Sequence, residues 1–198
     1  MAISARRERI KKQVRTDIIQ TSKDIARQEG WQAVSIRKIA DVIEYSPPIL
    51  YEYFESKDHL LKSIQSEGFE FLKTELEQIK ILYRNPEKIL MEFAQVQWKF
   101  MTTQTEVFEV MFNLNGANIT SNESLVAELE GKNNHPIWEI IAMLRPRSAE
   151  MVTRSFVEWW STSYGLLTMI AVAHPKKSWP QSEILFVESV RKFIRNLA

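Results

Sequence analysis

Apolar residues recur at helical intervals through most of the chain, and a few polar stretches break the rhythm. Ile10, Val14, Ile18, Thr21 and Ile25 step by four and three, predicting a helix over about residues 5–29 that Gly30 closes in a left-handed cap. Trp31 is then expected to plug a small three-helix core. Ser35 offers a capping oxygen to a short helix whose Ile36, Ile39, Ala40 and Ile43 share one face. Ser46 before Pro47 and Pro48 starts another, because a first-turn proline gives up only an amide that has no intrahelical partner. Leu50 and Phe54, four apart, turn inward on that helix. Ser56 caps a fourth helix running to about Tyr83, with Leu60, Ile64, Phe71, Leu72, Leu76 and Ile79 as its inner stripe.

Pro86-Glu87 opens a fifth helix carrying Ile89, Leu90, Phe93, Val96, Gln97, Phe100 and Met101, and residues 107–112 form a short apolar helix. Residues 113–122 read as a loop, 125–130 as a helical segment, and 131–136 as an interruption. Val152, Phe156, Trp159, Trp160, Ser163, Leu167 and Ile170 then mark a buried stripe over about 147–173. The last helix, about 181–196, has two stripes: Ile184, Val187 and Ile194, and Phe186, Val190, Phe193 and Leu197. A helix apolar on two sides needs two partners, its own domain and, here, a second copy of the chain through about 147–173 and 181–197.

The expected fold class is all-α, and the five glycines and the scarcity of alternating β-branched runs agree with it. A helix-turn-helix domain is expected over 1–55 and a second helical domain, the one that would dimerise, over 56–198, with 56–83 as the connecting helix. The formal net charge is only +1, yet Arg6, Arg7, Arg9, Lys11, Lys12 and Arg15 face only Glu8 in the first fifteen residues. That basic end suits either a nucleic acid or a merely solvated helix. The absence of cysteine excludes disulfides and thiolate ligands. No apolar segment resembles a signal peptide or spans a bilayer, so a cytoplasmic protein without a membrane partner is expected.

Two short helices joined by a tight turn form a helix-turn-helix, whose second helix can enter the DNA major groove. Pro47, Pro48 and Tyr51 share the face that would enter, and it carries no Arg, Lys, Asn or Gln for bidentate base contacts. Direct readout is therefore expected from Tyr45, Ser46, the Tyr51 hydroxyl and apolar contact with thymine methyls. Arg37, near the start of the preceding helix, suits a guanine contact or a phosphate equally well. Tyr53, two residues past Tyr51, should reach the sugar-phosphate backbone. Lys57 places a cation in a helical first turn, which opposes the macrodipole by ~0.3–1 kcal/mol, and a bound phosphate would reconcile the two.

Ser35, Ile39-Ala40, Ser46, Leu50-Tyr51-Glu52-Tyr53-Phe54-Glu55-Ser56-Lys57 and Leu60-Leu61 stand in one register. This run resembles the DNA-binding domain of the TetR-like (tetracycline-repressor-like) transcription regulators. The resemblance covers about the first third of the chain. It implies that Ser35, Tyr51, Tyr53 and Lys57 touch the DNA backbone, that a basic arm with Arg6 and Arg7 lies along it, and that the second half binds a small effector which alters the spacing of two DNA-binding heads. Two positions depart from the family. Glu44 stands where glycine is usual, which should reshape the turn, and Pro47 before Pro48 should delay the helix by one residue.

Candidates to line an effector cavity are Phe93, Trp98, Met101, Phe108, Met111, Phe112, Trp138, Phe156, Trp160 and Tyr164, since Trp and Tyr join a broad apolar face to a polar handle. The scarcity of charge among them favours a neutral, hydrophobic or aromatic compound. Trp160 to Gly165 resembles a Trp-x-x-x-His-Gly signature of some branches of the family, with Tyr164 in place of the histidine. His59, His135 and His174 are expected at the surface, and no catalytic, metal-binding or cofactor motif is present. The reading is a homodimeric, ligand-responsive regulator, most simply a repressor, on a palindromic double-stranded DNA operator. An all-helical enzyme and an architectural DNA-binding protein without an effector are the alternatives.

Overall fold

A computed structural model describes residues 2–120, 135–144, 148–173 and 178–197. Among them every regular element is helical, in the order α1 (Ala2–Glu29), a 3-10 turn (Trp31–Ala33), α2 (Ile36–Val42), α3 (Pro47–Tyr51), α4 (Lys57–Leu82), α5 (Pro86–Thr103), α6 (Thr105–Met111), α7 (Pro136–Leu144), α8 (Ala149–Ala173) and α9 (Trp179–Leu197). The helix expected over 125–130, most of the interruption after it and His174 lie outside the described residues. No described helix is long and apolar enough to cross a membrane.

The caps explain several boundaries. The hydroxyl of Ser35 accepts from the Lys38 amide, Ser56 from that of His59, and the Asn85 side chain from that of Lys88. Gly30 ends α1 with φ +83 and ψ 163, an extended positive-φ conformation open to glycine, rather than the expected left-handed cap.

Trp31 is fully buried in the head, as are Ile18, Ile39, Leu50, Phe54 and Leu60 of the same apolar cluster. Ile10 leaves the expected stripe of α1 and is exposed, because the first turns of that helix run past the core. On α4 the inward face carries Gln65, Gly68 and Phe69, whereas Phe71 points out and stacks on Phe100 with ring centres 5.4 Å apart. Gly68 lies against α6 so closely that a Cβ there would meet Met111 Sδ at 2.5 Å and Val107 at 3.1 Å.

One buried apolar cluster continues from the head through α4 into the carboxy-terminal helices. There α9 buries Phe186, Val190, Phe193, Ile194 and Leu197 against α5 and α8. Its second stripe is consequently shorter than expected: Ile194 faces inward, Val187 is half-buried, and Ile184 and Leu185 remain exposed.

Candidate nucleic-acid interface and the aromatic core behind it

The turn between α2 and α3 keeps its tight shape despite the absence of glycine. Glu44 adopts φ +59, and the amides of Ile43 and Tyr45 bond to the carbonyls of Ile39 and Ala40, each at 3.0 Å. The Tyr45 to Ala40 bond is the six-to-one bond typical of a Schellman closure, whose left-handed residue is normally glycine. The expected reshaping does not occur; the backbone accepts a left-handed glutamate instead.

Nor does α3 begin late, since Pro47 is its first residue. Ser46 precedes it without a side-chain cap bond. Pro48 has no amide to offer, and the Ile49 amide bonds to the Ser46 carbonyl at 3.0 Å. The helix is only five residues long, so Tyr53 and Phe54 lie beyond it, their amides returning to the Leu50 carbonyl. Leu50 and Phe54 are buried as expected.

The outward face of this pair carries Tyr45, Ser46, Pro48 and Tyr51, all exposed, with Pro47 half-buried. Val42 and Ile49 join it. Sequence reasoning passed over these two, although Ile49 separates Pro48 from Leu50 and its exposure follows from the inward turn of Leu50. Arg37 is exposed and has no ion-pair or hydrogen-bond partner among the described residues, which leaves both of its expected roles open. Beside the face, Arg7, Ile10, Lys11, Glu52 and Tyr53 line an open cleft of about 290 Å³. Tyr53 is half-buried there, and burial, then Tyr45 and Glu52, push its phenol above the ordinary value.

Arg6, Arg7, Lys11 and Lys12 are exposed cations along α1. Arg15 is not part of this arm: it donates to Ser63 and to Glu67 (3.1 Å) and lies 5.1 Å from the centre of the Phe54 ring, tying α1 to α4. Lys57 also has a partner, since its ammonium donates to the Trp31 carbonyl at 2.6 Å. The carbonyl relieves the conflict with the helix macrodipole, and burial holds the ammonium below the ordinary lysine value. Two of its three N–H donors remain for a further acceptor.

Residues 18–64, spanning both short helices and their supports, match the family model described as "Bacterial regulatory proteins, tetR family". The amino-terminal domain is thus similar to that family's domain over residues 18–64. The fold of the whole chain is likewise that of solved tetR-family structures. A TetR-family transcriptional regulator from Bordetella parapertussis is similar at 20% identity and TM-score 0.66, over 91% of this chain and 93% of that one. Thermus thermophilus FadR, a TetR-family repressor solved with lauroyl-CoA, is similar at 18% identity and TM-score 0.63, over 92% of each chain. PfmR from Thermus thermophilus gives 17% identity and TM-score 0.61, over 90% of this chain and 94% of that one. No curated protein matches the sequence.

The amino-terminal domain is also fastened to the rest of the chain through α6. The Arg27 guanidinium donates to the buried Glu106 carboxylate, and the Trp31 indole donates to the Glu106 carbonyl at 3.1 Å. The Asp58 carboxylate accepts from the Thr120 amide at 2.7 Å.

Behind α6 lies a connected aromatic cluster. Phe112 approaches Phe108, Tyr164 and Phe69 at 4.8, 5.1 and 6.1 Å, and Trp160 approaches Tyr164, Phe156 and Phe69 at 4.3, 6.3 and 6.4 Å between ring centres. Of the expected cavity residues, Phe108, Met111, Phe112, Phe156, Trp160 and Tyr164 are thus brought together, Met111 through its neighbour Phe112. Phe93 and Trp98 face elsewhere, stacking on Trp159 and Phe186. Met101 is buried on α5, and Trp138 sits half-buried at the periphery with its indole bonded to Thr153. His135 is not a surface residue; its ring packs 5.2 Å from that of Phe156. Phe69 and His135 were missed, the first because Phe71 mimics its position and the second because a histidine before a proline reads as loop.

Proposed function

We propose that the protein is a homodimeric transcriptional regulator which binds a palindromic operator through α2 and α3 and is controlled by a small, mostly apolar effector held behind α6. Repression is the simplest output. One observation carries the DNA-binding half: the face of Tyr45, Pro48, Ile49 and Tyr51 is exposed, Arg7 and Lys11 of α1 line a cleft with Glu52 and Tyr53 just past it in the chain, and Arg37 is exposed on the preceding helix. Phosphate contacts would then fall to Arg6, Arg7, Ser35, Tyr53 and the spare donors of Lys57, with base contacts from Arg37, Tyr45, Ser46, Tyr51 and the two prolines.

Exposed apolar residues on the last two helices support the dimer. Met151, Val157, Met169 and Val172 on α8, with Ile184 and Leu185 on α9, cover both elements. An obligate interface of their kind buries on the order of 2,000 Å² or more. The effector is supported by the aromatic cluster and by the lauroyl-CoA bound to the similar FadR structure. An architectural protein without an effector would share the head but would not respond to any small molecule.

Selection from a random DNA pool, followed by anisotropy titration with and without a metabolite library, tests the reading. Enrichment of an inverted repeat whose binding a metabolite changes is expected. No enrichment, together with a monomeric sedimentation profile at micromolar concentration, would overturn it.

A further inference from the structure

Three buried side chains, on α4, α5 and α8, carry polar atoms that nothing among the described residues satisfies. Both amide atoms of Gln97 on α5, the Trp160 indole N–H on α8 and Oε1 of Gln65 on α4 have no hydrogen-bond partner, although the residues are 1%, 7% and 0% exposed. Buried groups of this kind are almost always paired, so each one calls for an explanation.

Their placement gives them one. Gln65 precedes Phe69 by one turn, and its amide nitrogen already bonds to the Met111 carbonyl at 3.1 Å. Phe69 in turn approaches Trp160, so the Gln65 oxygen and the Trp160 indole flank the same aromatic cluster. Gln97 is central on the buried face of α5. At about 100° per residue it falls between Phe100, which stacks toward α4, and Trp98, which stacks toward α9. It follows Phe93, which faces α8, by one turn.

The set is balanced and uncharged. It offers two donors, Gln97 Nε2 and Trp160 Nε1, and two acceptors, Gln97 Oε1 and Gln65 Oε1. Among the described residues the only buried charged side chain is Glu106, which is held by Arg27 at the head. A carboxylate entering this core would meet two donors but also two amide oxygens, with no cation to neutralise it. An ammonium would meet the converse. A carbonyl beside an N–H or O–H matches a primary amide in both directions at once.

We infer that Gln97, Trp160 and Gln65 are the polar anchors of the effector site, and that they select an uncharged aromatic or apolar molecule bearing an amide-like carbonyl and hydrogen-bond donor. The inference rests on the effector reading above and sharpens its ligand class.

The test uses the full chain and three probes of one size: 2-naphthamide, 2-naphthoate and 2-methylnaphthalene, titrated calorimetrically. The amide should bind at least 10-fold more tightly than either of the others, and Gln97→Met should abolish that preference. Without any probe, Gln97→Met should raise Tm by about 2–6 °C, because it removes an unsatisfied amide at nearly constant volume. Equal affinity for 2-methylnaphthalene and 2-naphthamide would overturn the anchoring role while leaving an effector site standing. A lower Tm for Gln97→Met would show that the amide has a structural partner and would overturn the inference. Binding of none of the three would overturn the inference, whereas the effector reading is decided by the metabolite-library titration.

Discussion

The Arg27 guanidinium, in the last turn of α1, is bonded to the buried carboxylate of Glu106 on α6. With the Trp31 indole on the carbonyl of the same residue, one position of α6 holds the head at two points. Arg27→Ala would strand a buried carboxylate. Because Arg27 itself is half-exposed, the loss should be about 2 kcal/mol rather than the full cost of breaking a buried pair. Urea unfolding measures it, and adding Glu106→Gln should recover much of the deficit. A loss within error for Arg27→Ala would mean that solvent screens the pair.

Glu44 holds a left-handed backbone that costs a side-chain-bearing residue roughly 1–2 kcal/mol, partly offset by the extra unfolded-state freedom a glycine would bring. Glu44→Gly should therefore stabilise the protein by about 0.5–1 kcal/mol and leave the helix-turn-helix geometry unchanged. Calorimetry would show a higher Tm, and an unchanged or lower Tm would mean that Glu44 is not strained.

Lys57 should act as a general rather than a sequence-reading contact. Lys57→Ala should weaken binding to all DNA sequences similarly and lower the slope of affinity against salt by about one unit. Titration at several ionic strengths checks this. If the slope is unchanged, the Trp31 carbonyl is the only acceptor that the ammonium serves.

The Asp58 carboxylate is held below the ordinary aspartate value, first by the Thr120 amide and then by Lys62. Its contribution is complete above the unfolded value of about 3.9 and is lost as pH falls through the lower folded value. Stability should thus decline on acidification below about pH 4, and less steeply in Asp58→Asn. Hydrogen exchange at the Thr120 amide reads the same bond locally. Identical acid profiles for the two proteins would refute the assignment.

The head was legible in the sequence because its signals are local: caps at Ser35 and Ser56, a glycine at 30, and apolar residues three or four apart. The turn was not, since no sequence pattern announces that a glutamate will accept φ +59. Farther along, polar residues on buried faces misled the reading. Gln65 and Gly68 look like solvent positions, so the stripe of α4 was drawn through Phe71 instead of Phe69. Gln97 was placed correctly on its buried face, but nothing local shows that its amide lacks a partner there. Lys57 drew attention for the right electrostatic reason, yet the carbonyl that answers it comes from Trp31, 26 residues away in the chain.

The absence of a Cβ at Gly68 makes the seam between α4 and α6 stiff. With Met111 and Val107 already filling the space, a shift of α6 has no slack there to absorb it. Gly68 lies about 17 Å along α4 from Lys57 at 1.5 Å per residue, so a tilt of ~10° about that point would swing the Lys57 end of the helix by about 3 Å. Any tilt about this seam would therefore be magnified at the head, to a displacement comparable to the rise between stacked base pairs.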